Sequence, residues 1–251
     1  MKRSTGESRL RVNLQPAYVL HSRPYRDSSL LLEVFTAEHG RISLVARGAR
    51  RQRRGGSQGA LLQLFRPLLV SFAGRGEMKN LVTVETAGNT ARLRGERLFS
   101  GLYVNELLVR LLHRHDPHPR LFASYTNTLS SLGGTQVLDG VLRRFELELL
   151  GELGYGFSLQ VEGDSGAPLL ADMSYRFNPE CGLVRVAAAE PPGSGSFLGA
   201  HLLALGRGEF DGAARSAAKS LLRQALASHL GPEPLRSRQL FGARHGAAGG
   251  A

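Results

Sequence analysis

The hydrophobic period changes once along this chain, and that change limits the folds open to it. From Gln15 to Glu85 apolar residues alternate with polar ones, as in half-buried strands. From Gly95 onward they recur every three to four residues, as in amphipathic helices. Such a chain builds a sheet first and packs helices after it, an α+β order. Five alternating stretches are legible. Ala17, Val19 and His21 alternate with Tyr18 and Leu20, and Leu30, Leu32 and Val34 with Leu31, Glu33 and Phe35. Ile42, Leu44 and Ala46 share a face opposite Ser43, Val45 and Arg47. Leu68 to Phe72 and Leu81 to Glu85 complete the set, joined by a hairpin turn at Gly74, Arg75 and Gly76. Leu61, Leu62 and Leu64 suit a short helix between the third and fourth strands. This pattern matches the five-stranded Greek-key barrel of the OB-fold, although an SH3-like barrel has a similar strand count. Phe35 and Phe72 are assigned to core, since strand aromatics usually pack.

The helical part reads as three consecutive amphipathic helices, an irregular insert and two further helical stretches. Leu98, Leu102, Val109 and Leu112 mark the first helix, with Asp116 and Pro117 as N-cap and N1 of the second. Leu121, Tyr125, Leu129 and Leu132 mark the second, ended by Gly133 and Gly134. Val141, Leu142, Phe145 and Leu149 mark the third, with Gly154 at its C′ position. Residues 155–195 lose the period, and only Tyr175 to Phe177 and Leu183 to Val186 are strand-like. Helical spacing resumes at Leu198 and again at Ala218, and stops at Gly231 and Pro232. The expected organisation is a flexible tail (1–13), an OB-fold domain (14–90), a helical domain (91–241, insert 155–195) and a disordered tail (242–251).

Charge is segregated in the same way as the period. Residues 1–94 hold 17 basic and 6 acidic side chains (17 − 6 = +11), whereas residues 95–251 hold 15 of each, so the whole net charge of +11 lies in the first segment. A charge serving only solubility has no reason to segregate, so the N-terminal part reads as an electrostatic footprint for phosphates or an anionic surface. Its densest part follows the third strand, where Arg47, Arg50, Arg51, Arg53 and Arg54 run into Gly55 and Gly56 with no acidic residue among them. A charge run is commonly just a solvated loop, and the segregation is what favours binding. Arg23, Tyr25 and Arg26 place a ring between two guanidinium groups in an expected loop, suited to stacking a base while holding its phosphates, although Tyr25 could equally pack on the barrel wall. Arg75 and Lys79 add cations to the fourth hairpin.

Catalytic patterns are missing. There is no phosphate-binding GxxxxGK[ST] loop, no GxSxG elbow and no HExxH pair. His113, His115, Asp116 and His118 crowd six residues, but His113 and His115 would stand about 200° apart on a helix, which opposes a shared metal. Cys181 is the single cysteine, excluding a disulfide framework and a cysteine-based zinc site. No apolar run reaches membrane-span length and no export signal follows Met1, so a cytoplasmic protein is expected. On the third helix, Arg143, Leu147 and Leu150 form a ridge suited to a peptide with an apolar side chain and a terminal carboxylate. The competing reading pairs Asp139 with Arg143 and Arg144 with Glu148 on the surface.

The stretches AYVLHSRPYR from Ala17, SSLLLEVFTAEHGRISLVARGARR from Ser28, FRPLLVSFAGRGEMKNL from Phe65, GLYVNELLVRLLHRHDPHPRLF, LRRFELELLGELGYG and PLRSRQLF resemble the bacterial recombination mediator family RecO over residues 15–241. The resemblance implies an OB-fold followed by a helical domain, binding of single- and double-stranded DNA, and annealing of complementary strands without ATP. It also implies help in loading RecA onto DNA coated by single-stranded DNA-binding protein. The coating protein's acidic C-terminal tail, RecR and, indirectly, RecA are the implied partners, with the tail docking on the helical domain at Arg143. Many members hold zinc with four cysteines in the insert; the lone Cys181 places this chain with the metal-free branch, where no cofactor is expected. An RNA-binding OB-fold protein shares the electrostatics and is the alternative, separable by RNA preference through the 2′-OH. A nucleic-acid enzyme is disfavoured by the lack of paired carboxylates or metal ligands.

Overall fold

The computed structural model describes residues 11–51, 58–186, 195–210 and 212–240. It divides into two compact units, residues 1–93 with 101–123 and residues 94–100 with 124–251. Most of helix α1 (Glu96–Leu111) and the start of α2 (Pro119–Gly133) group with the barrel.

In the first unit, β1 (Arg11–Tyr25), β2 (Ser29–Thr36), β3 (Gly40–Ala46), β4 (Leu68–Ala73) and β5 (Met78–Thr86) close a barrel in the order β1-β2-β3-β5-β4. This is the five-stranded OB-fold architecture. The long β1 serves two neighbours. Its second half pairs with β2 from Ala17↔Thr36 to Tyr25↔Ser29, and its first half pairs with β4 from Arg11↔Ala73 to Ala17↔Leu68. Two expectations are corrected by that ladder. Arg11, Val12 and Asn13 are strand rather than tail, and Arg23 to Tyr25 are strand rather than loop, since both ends of β1 have partners. Closure rests on a short parallel contact, Ser43↔Met78 to Val45↔Asn80.

Ala17, Val19, Leu32, Val34, Ile42, Leu44, Leu68, Val70 and Phe72 fill the barrel, as the alternation requires. The opposite face of β1 and β2 is also covered: Tyr18, Leu20 and Phe35 are buried, and Phe122 of α2 lies 5.6 Å from the Tyr18 ring and 5.3 Å from the Phe35 ring. The expected helix at Leu61 to Leu64 is displaced to a 3-10 turn at Gln58–Ala60, because Leu64 is held extended by a bridge to Val19 while Leu62 enters the core.

The link between α1 and α2 is bound to β3. Arg41 and Arg114 form a parallel bridge, and the His115 amide donates to the Arg41 carbonyl at 3.0 Å. Gly40 is required at this approach: its φ is +61°, and a Cβ there would lie 1.9 Å from the Asp116 carbonyl oxygen. Because this attachment keeps the link out of helical geometry, α2 starts at Pro119 rather than at Asp116 and Pro117.

The second unit contains the rest of α1 and α2, α3 (Leu138–Glu152), a sheet, α4 (Gly199–Gly206) and α5 (Gly212–Leu230). Gly154, at φ +80°, ends α3 as expected: its amide donates to the Gly151 carbonyl at 3.1 Å, and the Tyr155 amide donates to the Leu150 carbonyl at 2.8 Å, the paired bonds of a Schellman cap. The insert forms β6 (Ser174–Asn178) and β7 (Gly182–Arg185), with β8 (Ser196–Leu198) completing the order β7-β6-β8. Three residues are too few to show a period, so β8 has no sequence signature. Tyr175, Leu183, Phe197, Leu202, Ala218 and Leu221 belong to the core joining sheet and helices.

Candidate nucleic-acid interface

The candidate site is an open cleft of about 630 Å³ on the first unit, lined by Tyr25, Arg26, Ser28, Ser29, Val45, Arg47, Gly48, Arg51, Met78 and Asn80. Three local features build it. First, β1 runs to Tyr25 and turns into β2 at Arg26, whose φ is +51°; its guanidinium lies over the Tyr25 ring at 5.3 Å. Second, β3 ends at Ala46, and Gly48, at φ +68°, turns the chain so that Ala49 enters the barrel core. Arg47, Arg50 and Arg51 are thereby left exposed on either side of a buried anchor. The Arg50 amide donates to the Ser28 carbonyl at 3.0 Å, tying this loop to the β1–β2 turn. Third, the parallel β3–β5 contact sets Met78 opposite Ser43 and Asn80 opposite Val45.

The electrostatics of the cleft differ from those of the barrel flank. Arg41 donates to the Val109 carbonyl at 2.7 Å and lies 3.5 Å from Glu33, while Arg114 reaches Glu33 at 3.0 Å. Burial lowers the pKa of Arg41, and Glu33 opposes that shift. Among the described residues, no ion pair engages Arg26, Arg47, Arg50 or Arg51. Unpaired guanidinium groups beside an aromatic ring and the apolar side chains of Val45 and Met78 can hold phosphates while a base stacks.

The structure therefore brings together Tyr25, Arg26, Arg47 and Arg51 of the expected site residues. Arg23, Arg50, Arg75 and Lys79 are not among the lining residues; Lys79 donates to the Gly76 carbonyl at 3.2 Å. Arg53 and Arg54 lie outside the described residues. Ser28, Ser29, Val45, Met78 and Asn80 were missed. The outward face of Val45 was legible, but nothing local announces that β5 closes against it.

Two family models match this chain. The model described as Recombination protein O N terminal matches residues 11–90, and that described as Recombination protein O C terminal matches residues 92–239. The chain belongs to the RecO family. It is 50% identical over 228 residues to a DNA repair protein RecO of Pseudomonas putida, covering 90% of this chain and 96% of that one. It is also 47% identical to one of Methylococcus capsulatus and 48% identical to one of Nitrosococcus oceani, each over 92% of this chain and 93% and 94% of the relatives. RecO-family membership carries a role in DNA repair and recombination.

The ridge expected to meet a partner of this RecO-family chain is corrected by the second unit. Arg143 and Leu150 are buried, at 7% and 1% exposure, and Leu147 packs against the core that holds Tyr175. Arg143 pairs with Glu146 at 2.9 Å rather than with Asp139, which instead pairs with Arg215 of α5. Glu148 accepts a hydrogen bond from Ser124. The surface cation is Arg144, which lines a polar groove of about 200 Å³ with Ser124, Asn127, Thr128, Ser131, Val141 and Glu148. Of the crowded histidine segment, His118 Nε2 lies 3.3 Å from Asp116, and among the described residues no three His, Cys, Asp or Glu side chains converge as metal ligands. No helix among them is long and apolar enough to cross a membrane.

Proposed function

We propose that the barrel cleft binds single-stranded DNA, and that the protein anneals complementary strands without ATP and helps load RecA onto DNA coated by single-stranded DNA-binding protein. The observation carrying this reading is the juxtaposition of Tyr25 with Arg26, Arg47 and Arg51, three unpaired cations in one open cleft. Phosphate neutralisation supplies the affinity, and stacking adds grip without sequence preference, which a mediator acting on any sequence requires. Neutralising both backbones lowers the repulsion that opposes pairing, so annealing needs binding energy and no nucleotide hydrolysis. Duplex DNA is held by the same phosphate chemistry. RecR is a further proposed partner. The coating protein's acidic tail is proposed to meet α3, where Arg144 rather than Arg143 is accessible.

Annealing of complementary oligonucleotides without ATP or magnesium is the direct test, with the rate expected to rise with protein and fall with salt. A rate equal to the spontaneous one would overturn the reading. Tighter binding to RNA than to DNA of the same sequence would move the assignment to an RNA-binding OB-fold protein.

A further inference from the structure

The zero net charge of residues 95–251 conceals a second segregation. Residues 138–152 hold Arg143 and Arg144 against Asp139, Glu146, Glu148 and Glu152 (2 − 4 = −2). Residues 212–240 hold Arg215, Lys219, Arg223, Arg236 and Arg238 against Glu233 alone (5 − 1 = +4). Helix α5 carries no carboxylate in its 19 residues.

Three of those cations stand four residues apart on α5. Ala214, Ala218, Leu221, Leu222, Ala225 and Leu226 bury one side of the helix, while Arg215, Lys219 and Arg223 are exposed. Spacings of four residues advance about 6 Å along the axis and stay near one line, so the three form a stripe. Arg215 is neutralised by Asp139, whereas Lys219 and Arg223 have no ion-pair partner among the described residues. Like charges four apart weaken a helix, and a surface helix ordinarily avoids that by interspersing carboxylates. Ser216 and Ser220 are exposed beside the stripe and add hydroxyl donors. An acidic peptide would seek an apolar foothold, and α5 exposes no large hydrophobic side chain. A regular row of cations and hydroxyls without one fits a uniform polyanion, the sugar-phosphate backbone.

We propose that the Lys219–Arg223 stripe of α5 is a second phosphate-binding surface, taking the strand that is to be paired with the one in the barrel cleft. This rests on the annealing reading above and names where its second strand is held.

The test uses the full chain and labelled complementary oligonucleotides, comparing wild type, the double variant Lys219→Ala/Arg223→Ala and the conservative Lys219→Arg/Arg223→Lys. The alanine variant should bind a single oligonucleotide within about twofold of wild type while annealing about tenfold more slowly. The salt slope of annealing should fall by about 1.4, from roughly 0.7 per lost phosphate contact. The conservative variant should anneal like wild type, and matching thermal melts would exclude a folding defect. If wild type anneals and the alanine variant anneals equally fast, the stripe proposal is overturned while the annealing reading stands. If wild type itself does not anneal, the annealing reading fails first. Unchanged annealing with loss of binding to a polyglutamate probe would assign the stripe to an acidic protein instead, and would also overturn the proposal.

Discussion

Asn105 of α1 donates its side-chain amide to the main-chain carbonyl of Leu20 at 2.9 Å, and both residues are buried. The register between β1 and β2 shifts between Val19 and His21, so Leu20 has no partner residue on β2. The helix thus satisfies a carbonyl that the bulge removes from the ladder. Replacing Asn105 by Ala should cost about 1–3 kcal/mol, the penalty of a buried unsatisfied group. Urea unfolding measures it, and an unchanged midpoint would show that the bulge tolerates the loss.

Arg143 and Glu146 pair one turn apart inside α3, both withdrawn from solvent. Arg143→Ala should destabilise the protein by about 3–5 kcal/mol by breaking this buried pair, whereas the apolar double variant Arg143→Met/Glu146→Leu should recover most of that. Arg144→Ala should stay within about 0.5 kcal/mol of wild type while weakening binding of the coating protein's tail peptide. Thermal melts combined with peptide titration separate the roles. A fully stable Arg143→Ala protein that had lost only peptide binding would restore Arg143 as a surface anchor.

The basic loop should govern the salt dependence of DNA binding. Replacing Arg50, Arg51, Arg53 and Arg54 by Ala should flatten the slope of log affinity against log salt by up to about 3 units, at roughly 0.7 per phosphate on a single strand. Tyr25→Ala should instead weaken single-strand binding by about 1–3 kcal/mol and leave the slope unchanged. Anisotropy titrations across a salt series decide both, and parallel slopes for wild type and the quadruple variant would reduce the loop to a solvated tether.

Stability should fall on mild acidification. Burial lowers the pKa of His229, which stacks on Tyr155 at 3.7 Å, and burial followed by Lys79 lowers that of His115. Each folded-state pKa lies below the ordinary histidine value of about 6.5, so the unfolded chain takes up protons first. The stabilisation is whole above that pH and is lost as pH falls through the folded values. Melting temperatures measured across this range should decline below about 6.5, with a shallower decline in His229→Gln. Equal profiles for the two proteins would assign the decline to His115 and other groups.

By itself the sequence determined the order of barrel and helices, the faces of the first three strands, the Gly154 stop of α3 and the concentration of charge around Arg47 to Arg54. These follow from local rules of side-chain period, glycine conformation and like charges without neighbours of opposite sign. The long matching stretches determined the family. Tertiary structure alone decided that β5 closes against β3, which sets Met78 opposite Ser43 and Asn80 opposite Val45 in the cleft that Tyr25 lines. It alone decided that Arg143 turns inward to Glu146 while Arg144 faces out, and that the link at Arg114 and His115 is bound to β3. A period shows which face of an element is apolar, but not which edges meet or which polar side chain finds a buried partner. Those depend on residues distant in the chain, and only the folded packing brings them together.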